Sequence, residues 1–193
     1  MQALRSTLKK FARVSEEEIN YAMSRATSRS FEKGETLFDK EEFCDIIPVI
    51  ETGFAVMYHV GAGLRKGVVG FYKEGYYISD FYSYLTKEPI RFNFHFIEDT
   101  TISVLDRKTI DELNHRSPQW QTYGRKLAEK AYLNEMKHLY DAKFLSKDQR
   151  YENLIQEKNS FFQRAPLYLI ASYLDTTPET LSRIRRRIYE GHK

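Results

Sequence analysis

The chain has 193 residues, 41% hydrophobic and 30% charged, with a net charge of +3, a composition that supports a packed core and excludes a disordered chain. Cys44 is the single cysteine, which excludes a disulfide framework and any Cys-based zinc or four-cysteine iron–sulfur site within one chain. The N-terminus MQALRSTLKKFARVSEEE has no signal-peptide apolar core, and no stretch approaches the roughly 20 apolar residues that span a bilayer, so a cytoplasmic location without a membrane partner is expected.

In chain order, residues 4 to 26 are expected to form short amphipathic helices. Leu4, Leu8 and Phe11 share a stripe, and Ser15 precedes Glu16, Glu17 and Glu18 as an N-cap precedes an acidic first turn. From Thr27 the texture changes. Seven of the nine glycines (Gly34, Gly53, Gly61, Gly63, Gly67, Gly70 and Gly75) separate short apolar runs, the spacing of strands and turns. Phe54, Val56, Tyr58 and Val60 alternate along one strand and Val68 to Tyr72 makes another. Phe92, Phe94 and Phe96 alternate with Asn93 and His95 in a third, and Ile102 and Val104 continue after the turn Glu98-Asp99. Such a series points to a barrel or a double-layer β-roll. Gly61-Ala62-Gly63 lacks the pattern of a phosphate-binding loop and reads as a hairpin turn.

After Asp106 the pattern turns helical. Thr109 to His115 makes a short helix, and from Pro118 to Phe144 no further proline interrupts a helix of about seven turns. Its apolar stripe, Trp120, Tyr123, Leu127 and Ala131 extended by Tyr132, Met136, Tyr140 and Phe144, is wider than one surface can bury. The β-layer is expected on one side and a second copy of the chain on the other, with Tyr123, Leu127, Ala131, Tyr132, Met136, Tyr140 and Phe144 at the dimer interface. Ser146 caps a further helix, Lys147 to Lys158, and Asn159 to Arg164 reads as a polar and aromatic link.

The last segment carries the functional signal. Leu167, Ile170, Ala171 and Leu174 recur at helical spacing, and Asp175-Thr176 marks a turn. Thr177 then offers a capping hydroxyl, Pro178 suits the first helical position and Glu179 faces the positive helix end. On this second helix Leu181, Ile184 and Ile188 face inward, a helix-turn-helix arrangement. Residues 178 to 193 hold Arg183, Arg185, Arg186, Arg187 and Lys193 against Glu179 and Glu190, a local charge of +3 that equals the net charge of the whole chain. A helix about 10 Å across fits the major groove of DNA. Thr177, Glu179, Thr180, Ser182, Arg183, Arg185, Arg186 and Arg187 are therefore the candidate DNA-binding residues: Arg183 suits a guanine edge, Glu179 can accept from cytosine, and the three successive arginines can meet phosphates.

Enzyme chemistry is not indicated. The histidines His59, His95, His115, His138 and His192 show no paired metal-ligand spacing, no nucleophile elbow surrounds a serine, and no metal site is expected. Glu41, Glu42 and Asp45 would oppose a reactive thiolate at Cys44.

The order of β-roll, long helix and helix-turn-helix, with PLYLIASYLDTTPETLSRIRRR at the C-terminus and FEKGETLF near residue 31, resembles the bacterial cyclic-AMP receptor and fumarate-nitrate regulator (Crp/Fnr) family over nearly the whole chain. The resemblance implies an α+β fold: a cyclic-nucleotide-binding-like β-roll over residues 1–116, a dimerisation helix over 117–145 and a helix-turn-helix domain over 146–193. It also implies a homodimeric transcription regulator that binds palindromic double-stranded DNA, with RNA polymerase as a further partner. Pro178-Glu179-Thr180-Leu181-Ser182-Arg183 occupies the place of the family's base-reading motif, with Pro178 where the family has an Arg, and the family's wing hairpin is missing. In the stretch matching the nucleotide cassette, Asp80 stands at the ribose-binding Glu place and Arg91 at the phosphate-binding Arg place, whereas Ser79 replaces a Gly and Phe92 a Ser. The resemblance thus makes Ser79, Asp80, Phe81, Arg91 and Phe92 the candidate effector pocket for a small molecule, with tight cyclic-AMP binding not expected. The alternative is a cytoplasmic small-ligand sensor or carrier that acts through protein contacts.

Overall fold

The computed structural model describes residues 1–11, 14–38, 42–59 and 67–191 and, of residues 11, 157–160, 162 and 191, the backbone alone. Val60, the turn expected at Gly61-Ala62-Gly63, Glu41, His192 and Lys193 lie outside the described residues, as does the side chain of Phe11.

Two short helices, α1 (Gln2–Phe11) and α2 (Glu16–Arg25), precede the strands, and Ser15 caps α2 by accepting from the Glu18 N–H at 3.2 Å. Leu4 and Leu8 are buried, while the start of α1 is held by Glu51, whose carboxylate accepts the Ala3 and Leu4 N–H groups at 2.8 and 2.9 Å and the Ser103 hydroxyl at 2.6 Å. Partial burial pushes the Glu51 carboxyl up, but these bonds outweigh it and leave the group below its ordinary range.

The strands β1 (Thr27–Phe31), β2 (Val49–Thr52), β3 (Ala55–His59), β4 (Val68–Tyr72), β5 (Phe92–Phe96) and β6 (Thr100–Val104) form two antiparallel sheets, ordered β1-β6-β2 and β4-β3-β5. Between the sheets lie Ile50, Ala55, Phe94, Phe96, Ile102 and Val104, with Met57 packed against them. Alternation then sends Val56 of β3 to the opposite face, where it joins Phe54, Val68 and Phe71 in a second core. β3 is therefore covered on both sides, which is why AVMYH is nearly continuous in apolar residues. The β2–β3 turn needs Gly53: its φ is 105°, and a Cβ there would stand 2.7 Å from the Asp99 carbonyl oxygen.

A short helix, α3 (Phe81–Thr86), interrupts the sheet between β4 and β5, and α4 (Arg107–Arg116) follows β6. The 27-residue helix α5 (Pro118–Phe144) is about 40 Å long. Its first turns are anchored, since Trp120 and Tyr123 are buried against Leu4, Leu8, Val49 and Leu113, and the Tyr123 hydroxyl meets that of Tyr77. Beyond Leu127 the helix leaves the core, and Tyr132, Leu133, Met136, Leu139, Tyr140 and Phe144 are 41–68% exposed. No helix among the described residues is long and apolar enough to cross a membrane.

The remaining helices are α6 (Lys147–Phe162), α7 (Leu167–Tyr173) and α8 (Pro178–Gly191). The link expected at Asn159–Arg164 is corrected, because α6 continues through Phe162 and the chain turns only at residues 163–166. Asn and Ser disfavour a helix by only tenths of a kcal/mol, and Phe161, buried on Phe54 and Phe71, holds this last turn in place. The same core takes in Leu169, Ile170, Leu174, Leu181 and Ile184, so the outer face of β3 and β4 packs directly on the C-terminal helices. Each such side chain, fully buried, contributes about 1.5–3 kcal/mol. Polar contacts frame the junction. The Val68 N–H donates to the Ser172 hydroxyl at 3.2 Å, and Arg164 pairs with Glu74 at 3.0 Å and Glu98 at 2.6 Å while its guanidinium lies 4.8 Å over the Phe54 ring.

Candidate nucleic-acid interface

The helix-turn-helix follows from local rules. At the end of α7 the Thr176 N–H reaches the Ala171 carbonyl at 2.9 Å and the Asp175 N–H reaches that of Ser172 at 3.1 Å, closing the helix in a Schellman motif. Asp175 occupies the left-handed position, φ 51°, where glycine is the usual residue. The Thr177 hydroxyl then accepts from the Thr180 N–H at 3.3 Å, and Pro178 opens α8. Leu181 and Ile184 are buried in the core that holds Ile170 and Leu174.

The other faces of α8 are left to solvent. Thr177, Glu179, Ser182, Arg183, Arg185, Arg186 and Arg187 are exposed and Thr180 is half-buried. Glu179, Ser182, Arg183 and Arg186 recur at spacings of three and four, so they share the face opposite Leu181 and Ile184. Arg183 donates to the Thr180 hydroxyl at 3.1 Å, and a hydrogen bond from Thr177 holds the Glu179 carboxyl below its ordinary range. The three successive arginines differ in their surroundings. Arg187 pairs with Asp148 of α6 at 2.7 Å, Arg185 borders the buried Tyr151, and Arg186 stands in the middle of the outward face.

The candidate effector residues meet around the start of α3, but their polar groups are engaged there. The Asp80 carboxylate, 2% exposed, accepts from the Ser83 N–H at 3.1 Å, the Arg91 N–H at 2.6 Å and the Phe92 N–H at 2.9 Å. Ser79 donates to the Ile46 carbonyl at 3.3 Å and lies 3.2 Å from the Cys44 sulfur. Arg91 points outward, paired with Glu88 at 3.0 Å and stacked 3.7 Å over the Tyr82 ring. Phe81 stacks on Tyr84 and Phe92 lies edge-on to His59. Burial pushes the Cys44 thiol up, against the hydrogen bonds with Ser79 and the Ile46 carbonyl that pull it down. Among the described residues no three His, Cys, Asp or Glu side chains converge as a metal ion would require.

Along α5, Tyr123 and Leu127, expected on a dimer face, pack within their own chain, while Ala131 is half-buried and Tyr132, Met136, Tyr140 and Phe144 are exposed. Leu133 and Leu139 belong to the same exposed stripe. They were legible from their spacing to Met136 and Tyr140, but a stripe followed at intervals of four steps past them. The charged α6 side chains Lys147, Asp148 and Arg150, which contact the helix-turn-helix, had no signal in the local sequence.

No protein-family model matches the chain, and no curated protein matches it in sequence. Solved structures do match it in fold. FixK2 from Bradyrhizobium japonicum superposes with a TM-score of 0.71 over 86% of each chain at 17% identity. A variant of CooA from Carboxydothermus hydrogenoformans gives 0.71 over 97% of this chain and 84% of its own at 14% identity. The Thermus thermophilus Catabolite Activator Protein gives 0.53 over 94% and 87% at 18% identity. The chain thus shares the fold of these solved structures, an α+β arrangement with a β-roll, a long helix and a C-terminal helical domain.

Proposed function

We propose that the protein is a homodimeric, sequence-specific DNA-binding transcription regulator. The observation that carries the reading is α8: two buried residues fix it on α7, and Glu179, Ser182, Arg183 and Arg186 turn away from the core along one face. In this reading Arg183 meets a guanine edge, Glu179 a cytosine amine, and Thr177, Thr180 and Ser182 flanking groups, while Arg185, Arg186 and Arg187 lie toward phosphates. The exposed stripe from Tyr132 to Phe144 supports pairing with a second copy, which would set two recognition helices about 34 Å apart on a palindrome. Residues 1–116 then serve as the β-roll, 117–145 as the pairing helix and 146–193 as the DNA-binding unit, with RNA polymerase the partner at a promoter. The engaged Asp80 and outward Arg91 support a degenerate cassette in which cyclic AMP is not a tight ligand.

The test is selection of a binding site from random duplexes, followed by titration of the selected and a scrambled site. Arg183→Ala should lose roughly 1–3 kcal/mol on the selected site and flatten preference at one or two base pairs. An unchanged ratio between the two sites would remove α8 as the reader. Met136→Glu with Tyr140→Glu should give monomers in sedimentation, and a persisting dimer would remove the pairing assignment.

A further inference from the structure

The first turn of α6 holds the turn and second helix of the helix-turn-helix. Arg150, whose side chain is only 14% exposed, donates from one guanidinium nitrogen to the Tyr173 carbonyl at 3.0 Å and from the other to the Asp175 carboxylate at 3.2 Å. Lys147 donates to the Asp175 carbonyl at 2.8 Å, and Asp148 pairs with Arg187 on α8. The Tyr173 carbonyl belongs to the last turn of α7, where carbonyls lack helical partners, and Asp175 is the residue whose left-handed backbone sets the turn into α8. The clamp itself is stiff. Ser146 and Gln149 close a capping box at the start of α6, with the Ser146 N–H donating to Gln149 at 2.9 Å.

We propose that Arg150 is a positioning residue for base reading: it fixes the angle between α7 and α8 through Tyr173 and Asp175 and so sets which base edges Arg183 can reach. The inference rests on the reading of α8 as the recognition helix. Arginine is required because its planar fork serves a carbonyl and a carboxylate at once, whereas lysine can serve one.

Measuring affinity for the selected and scrambled duplexes at several salt concentrations tests this. Arg150→Ala should lower the preference for the selected site about tenfold, the scale of one misplaced bidentate contact, and leave the log-log salt slope unchanged. Arg150→Lys should recover part of the preference. Asp175→Gly keeps the left-handed turn without the carboxylate, and should lower the preference non-additively with Arg150→Ala because both act through one contact. If Arg150→Ala abolishes the cooperative melt, Arg150→Lys and Asp175→Gly carry the test. Two results overturn the proposal: an unchanged preference, or equal weakening of both duplexes with a slope reduced by about 0.9, which marks a direct phosphate contact. Arg183→Ala separates the two readings, because its failure to alter preference removes α8 as reader independently of Arg150.

Discussion

Two stretches of this chain resemble functional motifs of one family, and they treat their polar groups in opposite ways. Around α3 the Asp80 carboxylate is turned inward and accepts three backbone N–H groups of its own domain, and the Arg91 guanidinium is turned out onto Glu88 and Tyr82. Along α8 Leu181 and Ile184 are turned inward and the charged residues stand in water. A buried carboxylate whose acceptors are filled is a structural element, because breaking its bonds to admit a ligand exposes N–H groups that have no other partner. An exposed arginine is only partly committed and can exchange water for a base or a phosphate. The difference supports the proposal that binding belongs to the C-terminal helices, and it gives Asp80 a part in stability.

The largest effect that could break this comparison is at Asp80. Asp80→Ala should lower unfolding free energy by about 3 kcal/mol, since three N–H groups lose their acceptor in a buried setting, and urea unfolding would read it. A neutral result would mean that the cassette does not depend on this carboxylate. On α8, Arg186→Ala should weaken the selected and scrambled duplexes alike and reduce the log-log salt slope by about 0.9, with stability unchanged in the same urea experiment. Glu51 extends the comparison to pH, because it too holds backbone N–H groups. Its folded pKa is depressed below the ordinary value of 4.5, so its contribution is present above that value and is lost as pH falls through the folded pKa. Amide exchange at Ala3 and Leu4 should therefore rise relative to the core below about pH 4.5, and Glu51→Gln should remove this dependence. The smallest effect belongs to Arg91. Its exposed pair with Glu88 is worth no more than about 1 kcal/mol, so Arg91→Ala should barely move stability, and calorimetry should find no micromolar cyclic-AMP binding in either form.

How much of this was legible depends on whether a feature is local. The helix-turn-helix was, because its stripe, its turn at Asp175, its cap at Thr177 and Pro178 are all set within a few residues of one another. The strands β3, β4, β5 and β6 were legible from alternation. β2 and α3 were not: VIET is too short to show a period, and FYSYLT lies in an aromatic run where a helical stripe cannot be told from a strand. Asp80 could be matched to a ligand-binding place by sequence, but its commitment to Arg91 and Phe92 arises from a chain reversal of 11 and 12 residues that no local pattern encodes. The roles of Arg150 and Arg164 are likewise tertiary, since their partners are 25 and up to 90 positions away.

The outer face of β3 and β4 has a consequence for synthesis of the chain. Val68 waits for Ser172, 104 positions later, and Phe54 and Phe71 wait for Phe161 and Leu174. At about 5–20 residues per second, roughly 5–20 seconds separate emergence of β3 and β4 from emergence of the helices that cover them. Throughout that interval Phe54, Val56, Val68 and Phe71 lack the helices that cover them in the folded chain, so slower translation through residues 73–174 lengthens the exposure of an aromatic and aliphatic surface.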